Sequence, residues 1–203
     1  MEALTLSSPM VVMVVGGPGA GKSFFAGAFA NTFGAALVSR DKIRWTLFAN
    51  HTYSDNENAM VDQVADLLTT ELFRAGKTFI LDGGYNTKIT REEIAKRAKK
   101  HNFRVLTIVV QVDEPTAKHR AENRHENTPG DHYKQSLTAA QFAKQTKDYQ
   151  APEIDAGTVV ISGKHNYATQ ARTVLKKMIE SQNIAVPVPP TSSPRGNRGT
   201  FIQ

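Results

Sequence analysis

The stretch VVMVVGGPGAGKSFF, at positions 11–25, most constrains what this chain can fold into. The run Met10–Val15 is apolar and mostly β-branched, which predicts a buried strand that ends at Gly16 and Gly17. The segment from Lys22 to about Asn31 is rich in Ala and Phe and predicts a helix. A strand, a glycine-rich turn and a helix in this order are the setting of a phosphate-binding loop.

The residues of the turn fit that loop position by position. Gly16 to Ser23 reads GGPGAGKS and satisfies G-x-x-x-x-G-K-[ST]. Glycines let successive backbone N–H groups turn inward around an anion, and the helix that follows adds its positive end. Lys22 is expected to reach the β- and γ-phosphates, and the Ser23 hydroxyl is expected to bind Mg²⁺. The predicted ligands are therefore ATP and Mg²⁺, and the loop residues predicted to contact the nucleotide are Gly17, Pro18, Gly19, Ala20, Gly21, Lys22, Ser23 and Phe24.

The rest of the chain alternates apolar runs with helical patterns. Further strands are predicted over 35–39, 77–84, 104–112 and 157–162, and further helices over 41–48, 56–76, 90–103, 114–126, 138–147 and 166–180. The helix over 56–76 carries an apolar stripe of Met60, Val64, Leu67, Leu68 and Leu72, and the helix over 90–103 has a capping-box start from Thr90 to Glu93. The pattern predicts an α/β fold with a parallel five-stranded sheet flanked by helices.

Length and composition limit the domain organisation and the class of protein. The 203 residues suffice for one well-buried domain, predicted over 1–180, followed by a flexible tail over 181–203 that is rich in Pro, Gly and Arg. The absence of cysteine excludes disulfides and thiolate metal sites. The longest apolar run near the start is too short to span a membrane, so the expected location is cytoplasmic.

The chain carries a net charge of +6, with basic residues concentrated over 90–104 and 118–127. A basic surface attracts polyanions such as nucleotides and nucleic acid. A solvated basic helix face explains the cluster over 96–100 equally well, since charge runs are weak evidence for a partner.

Three charged positions near the ends of the predicted strands are candidates for chemistry. Asp82 ends the third strand, where a carboxylate faces Mg²⁺ or the phosphate acceptor in P-loop proteins, although an acid before Gly also caps turns. Asp41 follows the second strand and shares a helix face with Arg44. A carboxylate there can take or orient the proton of an acceptor hydroxyl, and a guanidinium beside it can hold an anionic group. A plain N-cap is the alternative for Asp41.

Arg120 and Arg124 lie four residues apart on the charged helix after the fourth strand. In small kinases this region is a lid whose arginines neutralise charge on the transferred phosphoryl group. A salt-bridged surface helix is the alternative, because Glu122 and Glu126 are nearby.

Taken together, GGPGAGKS, SRDKIR, LDGGYN and HRAENR resemble the kinase domain of bacteriophage-type 5′-polynucleotide kinases, in the wider group of small P-loop kinases and zeta-toxin-like proteins. The resemblance covers about 11–149 and implies a P-loop NTPase fold of the small-kinase type with a lid helix. It implies that Asp41 is the general base for the acceptor hydroxyl and that Arg44 contacts the acceptor's phosphate. It also implies that Asp82 is the strand-end acid on the substrate side, and that Arg124, with Arg120 beside it, contacts the donor phosphates.

The predicted function is an ATP-dependent kinase in which Asp41, Lys22 and Arg124 are catalytic and a nucleic-acid 5′-hydroxyl is the preferred acceptor. A small-molecule or nucleotide-sugar kinase and a catalytically silent ATP-binding protein stay open as alternatives. A GTPase is disfavoured because the chain lacks N-K-x-D. The oligomeric state is left open.

Overall fold

The fold is built on one parallel sheet, as the computed structural model shows for residues 8–124, 133 and 135–183. Its strands are β1 (Met10–Val15), β2 (Ala36–Ser39), β3 (Phe79–Asp82), β4 (Arg104–Gln111) and β5 (Thr158–Ser162). Their order across the sheet is β2-β3-β1-β4-β5, and all four neighbouring pairs are parallel. The predicted α/β fold with a five-stranded parallel sheet is therefore confirmed.

Helices connect the strands and cover both faces of the sheet. They are α1 (Lys22–Phe33), α2 (Arg40–Leu47), α3 (Asp55–Arg74), α4 (Lys88–Lys100), α5 (Glu114–Glu122), α6 (Ala139–Asp148) and α7 (Tyr167–Asn183). Because every strand runs the same way, the segments that follow β1, β2 and β3 all begin at one edge of the sheet. Ligands of open α/β sheets bind at this edge.

Two apolar layers hold the sheet in place. Phe25 and Phe29 of α1 pack with Val174 of α7 against one face of the sheet. Val61 and Phe73 of α3 belong to the cluster on the other face. The side chains of β1 are buried on both faces, as expected for a central strand of a parallel sheet. The loop thus follows directly on the buried central strand of the sheet.

The apolar stripe predicted for α3 is only in part its buried face. Val64 and Leu72 are partly buried and pack against the core, whereas Met60, Leu67 and Leu68 are exposed. The buried residues are Glu57, Val61, Ala65, Thr69 and Phe73. Two polar residues belong to the buried line because each has an internal partner. Glu57 binds Arg44, and the Thr69 hydroxyl donates to the Ala65 carbonyl. Apolar residues alone therefore identify only part of the buried face of this helix.

Two predicted helix boundaries are also wrong. The N-cap of α4 is Thr87, whose side chain accepts from the Thr90 N–H, so Thr90 lies inside the helix rather than at its cap. Helix α5 ends at Glu122, with Asn123 as its C-cap, and so stops short of Arg124. The predicted end of that helix at position 126 lies outside the described residues.

The division of the chain into a domain over 1–180 and a tail over 181–203 stays a prediction. Helix α7 continues to Asn183, three residues past the expected boundary, and positions 184–203 lie outside the described residues. Among the helices of the described part of the chain, none is long and apolar enough to cross a membrane.

Candidate active site

The phosphate-binding loop packs closely against β4, α5 and the turn after β5. Gly16 has φ +149° and Gly19 has φ +74°, backbone conformations that L side chains rarely adopt. A Cβ at Gly19 would lie 2.0 Å from the carbonyl oxygen of Ala117, and one at Gly16 would lie 2.4 Å from that of Val110. The glycines thus allow both the turn of the loop and its close contact with α5 and β4.

The loop leads into α1, whose N-cap is Gly21 with φ 98°. Lys22 is the first residue of the helix, and its Nζ donates to the Gly17 carbonyl oxygen at 2.7 Å. This bond folds the ammonium group back over the loop. Pro18 and Ala20 are buried, whereas Phe24, which was also predicted to contact the nucleotide, is 58% exposed.

A buried carboxylate joins the loop to the neighbouring strands. The Ser23 hydroxyl donates to Asp82 Oδ1 at 2.9 Å, and the Ser39 hydroxyl donates to Asp82 Oδ2 at 3.1 Å. Asp82 is 3% exposed and lies in register with Ser39 on β2 and Val14 on β1. The last residue of β3 therefore faces the phosphate-binding loop rather than only capping the turn after the strand.

The donor set around Ser23 suits a magnesium ion. A hydroxyl oxygen and a carboxylate are the kind of oxygen ligands that Mg²⁺ takes in P-loop proteins, where it is also bound by the phosphates. Among the described residues there is no group of three or more His, Cys, Asp or Glu that could hold a metal by itself. Ser23 and Asp82 thus fit an ion that arrives with the nucleotide.

Asp41 lies in the first turn of α2, at the same edge of the sheet as the loop. The N-cap of that helix is Ser39, and its hydroxyl is bonded to Asp82 instead of capping the helix. Asp41 is the second residue of the helix, so the N-cap alternative for this carboxylate is wrong. Its side chain is half-buried and close enough to Tyr53 to act electrostatically on the phenol.

Arg44, which was expected to contact the acceptor, is 4% exposed and has internal partners. Its Nη1 donates to Glu57 Oε1 at 2.5 Å and its Nη2 donates to Asn58 Oδ1 at 2.7 Å. The guanidinium also lies over the ring of Tyr53, 4.4 Å from its centroid. Arg44 is therefore part of the contact between α2 and α3. An acceptor contact by Arg44 stays a prediction.

The Arg44–Glu57 pair predicts a pH-dependent contribution to stability. Burial alone would raise the pKa of Glu57, but hydrogen bonds from Thr52 and Arg44 and the charge of Arg44 lower it to about 2. A carboxyl whose folded pKa lies below its ordinary value stabilises the fold fully above that ordinary value, and loses this contribution as the pH falls toward about 2. We expect Glu57→Gln to lower the melting temperature at pH 7, and by less as the pH falls below about 4.5.

Thermal unfolding from pH 7 to pH 3 measures this difference. Glu71→Gln is the matched control, because Glu71 pairs with Arg74 on the exposed side of the same helix. An exposed pair contributes little, so this variant should unfold close to the wild type at every pH. If the fall in melting temperature caused by Glu57→Gln were the same at every pH, the charge of Glu57 would contribute no stability.

The two arginines of the predicted lid lie in different places. Arg120 is on α5, and its Nη1 donates to the Gly163 carbonyl oxygen at 2.9 Å, beside the turn that follows β5. Arg124 lies beyond the end of α5, and its Nη1 donates to the Gln135 carbonyl oxygen at 3.2 Å. The prediction that both share one helix face is therefore wrong. Their predicted contacts with donor phosphates stay predictions, and positions 125–132 and 134 of the lid lie outside the described residues.

Comparison with known protein families identifies the family of this chain. A family profile described as AAA domain matches residues 11–152, well over half of the chain. The chain belongs to this AAA-domain family. The matched segment runs from β1 past α6 and so includes the loop, Asp41, Asp82 and both arginines. No curated protein sequence matches this AAA-domain chain.

Solved structures share the fold of this AAA domain at low sequence identity. A gluconokinase from Sinorhizobium meliloti 1021 is 14% identical, with a TM-score of 0.60, over 87% of this chain and 95% of its own. Kti12 from Chaetomium thermophilum in complex with ADP-AlF3 is 19% identical, with a TM-score of 0.61, over 84% and 98%. A chain of the Pnkp1/Rnl/Hen1 RNA repair complex is 20% identical, with a TM-score of 0.58, over 71% of this chain and 45% of that one.

These likenesses show that the AAA-domain chain has the P-loop kinase-type fold predicted from its sequence. A bacteriophage-type polynucleotide kinase is a narrower assignment than the family profile gives. At such identities a common fold does not carry an acceptor from one protein to another. The acceptor must therefore be argued from the site itself.

Proposed function

We propose that this protein is an ATP-dependent kinase that transfers the γ-phosphoryl group of ATP to a hydroxyl group. The observation that carries the proposal is the hydrogen bond between Ser23 and Asp82, which joins the phosphate-binding loop to a buried carboxylate. Asp41 lies in the first turn of the adjacent helix, at the same edge of the sheet. Donor and acceptor sites of P-loop kinases lie side by side at such an edge.

In the proposed reaction each residue has one task. Backbone N–H groups of the loop and Lys22 hold the β- and γ-phosphates. Asp41 orients the acceptor hydroxyl and takes its proton as the oxygen attacks the γ-phosphorus. The bond from that phosphorus to the bridging oxygen of the β-phosphate breaks, and ADP leaves. Arg124 stabilises the charge that is shared among the phosphoryl oxygens.

Ser23 and Asp82 would hold Mg²⁺ with the nucleotide. When bound, the ion neutralises phosphate charge and helps orient the phosphoryl group. The Asp82 carboxylate also fixes the Ser23 hydroxyl through the bond at 2.9 Å, so that the hydroxyl oxygen keeps one orientation. Mg²⁺ dependence and a cytoplasmic location are parts of the proposal that the sequence motivates.

For the acceptor we propose a nucleic-acid 5′-hydroxyl, which the SRDKIR element favours. The likeness to a chain of an RNA repair complex agrees with it at the level of fold. The basic cluster over 96–100 gives no support, because Lys99 and Lys100 belong to the last turn of α4. That turn lies at the opposite edge of the sheet. Basic residues there interact favourably with the negative end of the helix dipole.

A small hydroxyl compound is the second candidate, and one observation favours it. Of the three cations within three residues of Asp41, two are already paired, Arg40 with Asp62 and Arg44 with Glu57. The third, Lys42, is exposed, and its Nζ lies 5.4 Å from the centroid of the Tyr133 ring. Phosphates that flank the reacting end of a polynucleotide would need cations that are not already neutralised. A small neutral acceptor would need none.

The proposed activity is tested by transfer from γ-labelled ATP to a panel of acceptors. The panel contains DNA and RNA oligonucleotides with 5′-hydroxyl ends, nucleosides, sugar nucleotides, gluconate and other small alcohols. Labelled product with any of them supports the kinase, and the best substrate identifies the acceptor class. ATP turnover that no acceptor stimulates would contradict the proposal.

Salt dependence separates the two acceptor classes without any substitution. If an oligonucleotide is the acceptor, its KM should rise steeply with salt, because each phosphate contact releases counterions from the strand. The log–log slope of affinity against salt is about −0.7 per contact for single strands. The measurement is made at saturating ATP and Mg²⁺, since ATP binding also depends on salt. An acceptor KM that is flat between low and moderate salt would rule out the polynucleotide acceptor.

Arg44 variants are a poor test of the acceptor. Removal of the guanidinium leaves the Glu57 carboxylate buried without its cation, which is strongly destabilising in general. A change in KM would then mix loss of an acceptor contact with loss of the α2–α3 contact.

A further inference from the structure

Two ion pairs join α2 to α3, and the first of them is buried. The side chains of Arg44 and Glu57 are 5% and 4% exposed, and Glu57 accepts three further hydrogen bonds from the turn before α3. A buried pair that loses one partner leaves an uncompensated charge, which is strongly destabilising. This pair therefore serves the packing of the two helices.

The second pair, Arg40 with Asp62, is open to solvent. The two side chains are 26% and 50% exposed, and Asp62 has no second partner within the described residues. Exposed ion pairs contribute little to stability, because water solvates both charges when they separate. An anion that arrives with a ligand can therefore replace Asp62 on the guanidinium with little loss of stability.

Arg40 lies between two polar residues at the edge of the sheet where the loop is found. Ser39, which precedes it, bonds Asp82, and Asp41, which follows it, is the proposed base. The Arg40 side chain crosses the chain just after β3, since a Cβ at Gly84 would lie 2.6 Å from Arg40 Cδ and 2.9 Å from its Nη1. Glycine at position 84 thus lets the guanidinium approach the backbone beside the site.

The pair of Arg40 and Asp62 lines a cleft between α3 and α4. The cleft has a volume of about 520 Å³, within the range of sites for small molecules. A further pair, Arg97 with Asp66, lines the same cleft one helical turn along α3. Space for a nucleotide is therefore available next to a cation whose partner is exchangeable.

We propose that Arg40 binds the phosphate that flanks the reacting 5′-hydroxyl, and that this phosphate replaces Asp62 on the guanidinium. This role rests on the proposed kinase function with a nucleic-acid acceptor. Arg40 and Asp41 are consecutive, with Cα atoms about 3.8 Å apart, so one terminal nucleotide can present its hydroxyl to Asp41 and its phosphate to Arg40. An arginine suits the task, because its planar fork binds phosphate through two parallel hydrogen bonds.

Arg40→Gln should raise the KM for a 5′-hydroxyl oligonucleotide about 10-fold, since hydrogen bonds to charged groups are the strong ones. The KM for ATP should stay near the wild-type value, because the loop binds the donor phosphates. Lys42→Gln is the matched control, since it removes an equal charge from the exposed residue on the other side of Asp41. Equal effects of the two substitutions would overturn the proposal, and so would an Arg40→Gln variant with the wild-type KM.

Asp62→Asn should have the opposite effect, because the phosphate no longer has to displace a carboxylate. The KM for the oligonucleotide should fall by up to about 5-fold, which is the contribution of an exposed ion pair, and the KM for a nucleoside without phosphate should not fall. Asp66→Asn is the matched control, because the partner of Asp66 is Arg97. An equal fall in Asp66→Asn would reflect general attraction of nucleic acid to a more basic surface, and the proposal would be wrong.

Binding without turnover separates the phosphate contact from the kinase activity. Fluorescence anisotropy of a labelled 5′-hydroxyl oligonucleotide, with a non-hydrolysable ATP analogue present, gives the Kd across a range of salt. Loss of one phosphate contact should make the log–log slope shallower by about 0.7 in Arg40→Gln and leave it unchanged in Lys42→Gln. If this change occurs while no acceptor is phosphorylated, the proposed function fails and the contact stands. A wild-type slope in Arg40→Gln, or a wild-type protein that does not bind the oligonucleotide, would overturn the contact whichever acceptor is phosphorylated.

Discussion

Lys22→Ala is expected to abolish phosphoryl transfer while the protein stays folded. The ammonium group is the one charged side chain of the loop itself, and it acts on phosphate oxygens whose negative charge shifts during transfer. Removal of one such pre-positioned donor costs about 10²–10³-fold in kcat, and a full charge should cost at least that much. The fold should survive, because the side chain is half-buried and its bond to the Gly17 carbonyl is worth about 1 kcal/mol.

Transfer from γ-labelled ATP measures this loss, and thermal unfolding checks that the variant is folded. Lys99→Ala is the matched control, because Lys99 is exposed in the last turn of α4, at the opposite edge of the sheet. That variant should keep wild-type turnover. If Lys22→Ala turned over ATP onto an acceptor at the wild-type rate, the kinase assignment would be wrong.

The parts of the fold that local sequence specifies were predicted correctly. Strand β1 has the predicted bounds, because an apolar β-branched run that ends in two glycines has few other interpretations. The loop and the start of α1 were also predicted, since the motif combines glycine positions with Lys22 and Ser23. The sheet edge followed from these, because parallel strands bring their carboxyl ends together.

The errors arose where a polar residue has a distant partner. The buried face of α3 was predicted only in part, and the prediction missed Glu57, which is buried through its pair with Arg44, thirteen residues earlier in the chain. One local signal was available, since Ser54 and Glu57 form the S-x-x-E pattern of a helix start. Ser54 is indeed the N-cap, and its side chain accepts from the Glu57 N–H. That cap places the first turn of the helix, although not the partner of the carboxylate.

The backbone conformation of Tyr53 could not have been predicted from its own neighbourhood in the sequence. Its φ is 55°, and a positive φ is signalled by Gly, Asn or Asp, whereas a tyrosine gives no such signal. The conformation depends on Arg44, Glu57 and Asn58 together. Contacts of this kind follow from how α2 and α3 pack, which no local pattern encodes.

Asp41→Asn is expected to reduce turnover by about 10²–10⁴-fold, the usual contribution of a general base. The amide has the same shape as the carboxylate but does not take up the acceptor proton. Because Asp41 acts on the acceptor side in the proposed reaction, binding of a non-hydrolysable ATP analogue should be almost unchanged. The expected signature is therefore a large fall in kcat with little change in nucleotide affinity.

Asp55→Asn is the matched control for this substitution, since Asp55 is an exposed acid in the first turn of its own helix, α3. Both substitutions remove a negative charge near the N-terminus of a helix. The favourable interaction of such a charge with the helix dipole is worth about 0.3–1 kcal/mol. Any loss that arises only from the dipole should therefore appear as a similar small fall in melting temperature in both variants. Ser39, and not Asp41, is the N-cap of α2, so loss of a cap cannot explain a fall in kcat. If the two variants turned over equally well, Asp41 would serve the helix alone, and the acceptor proton would need another base.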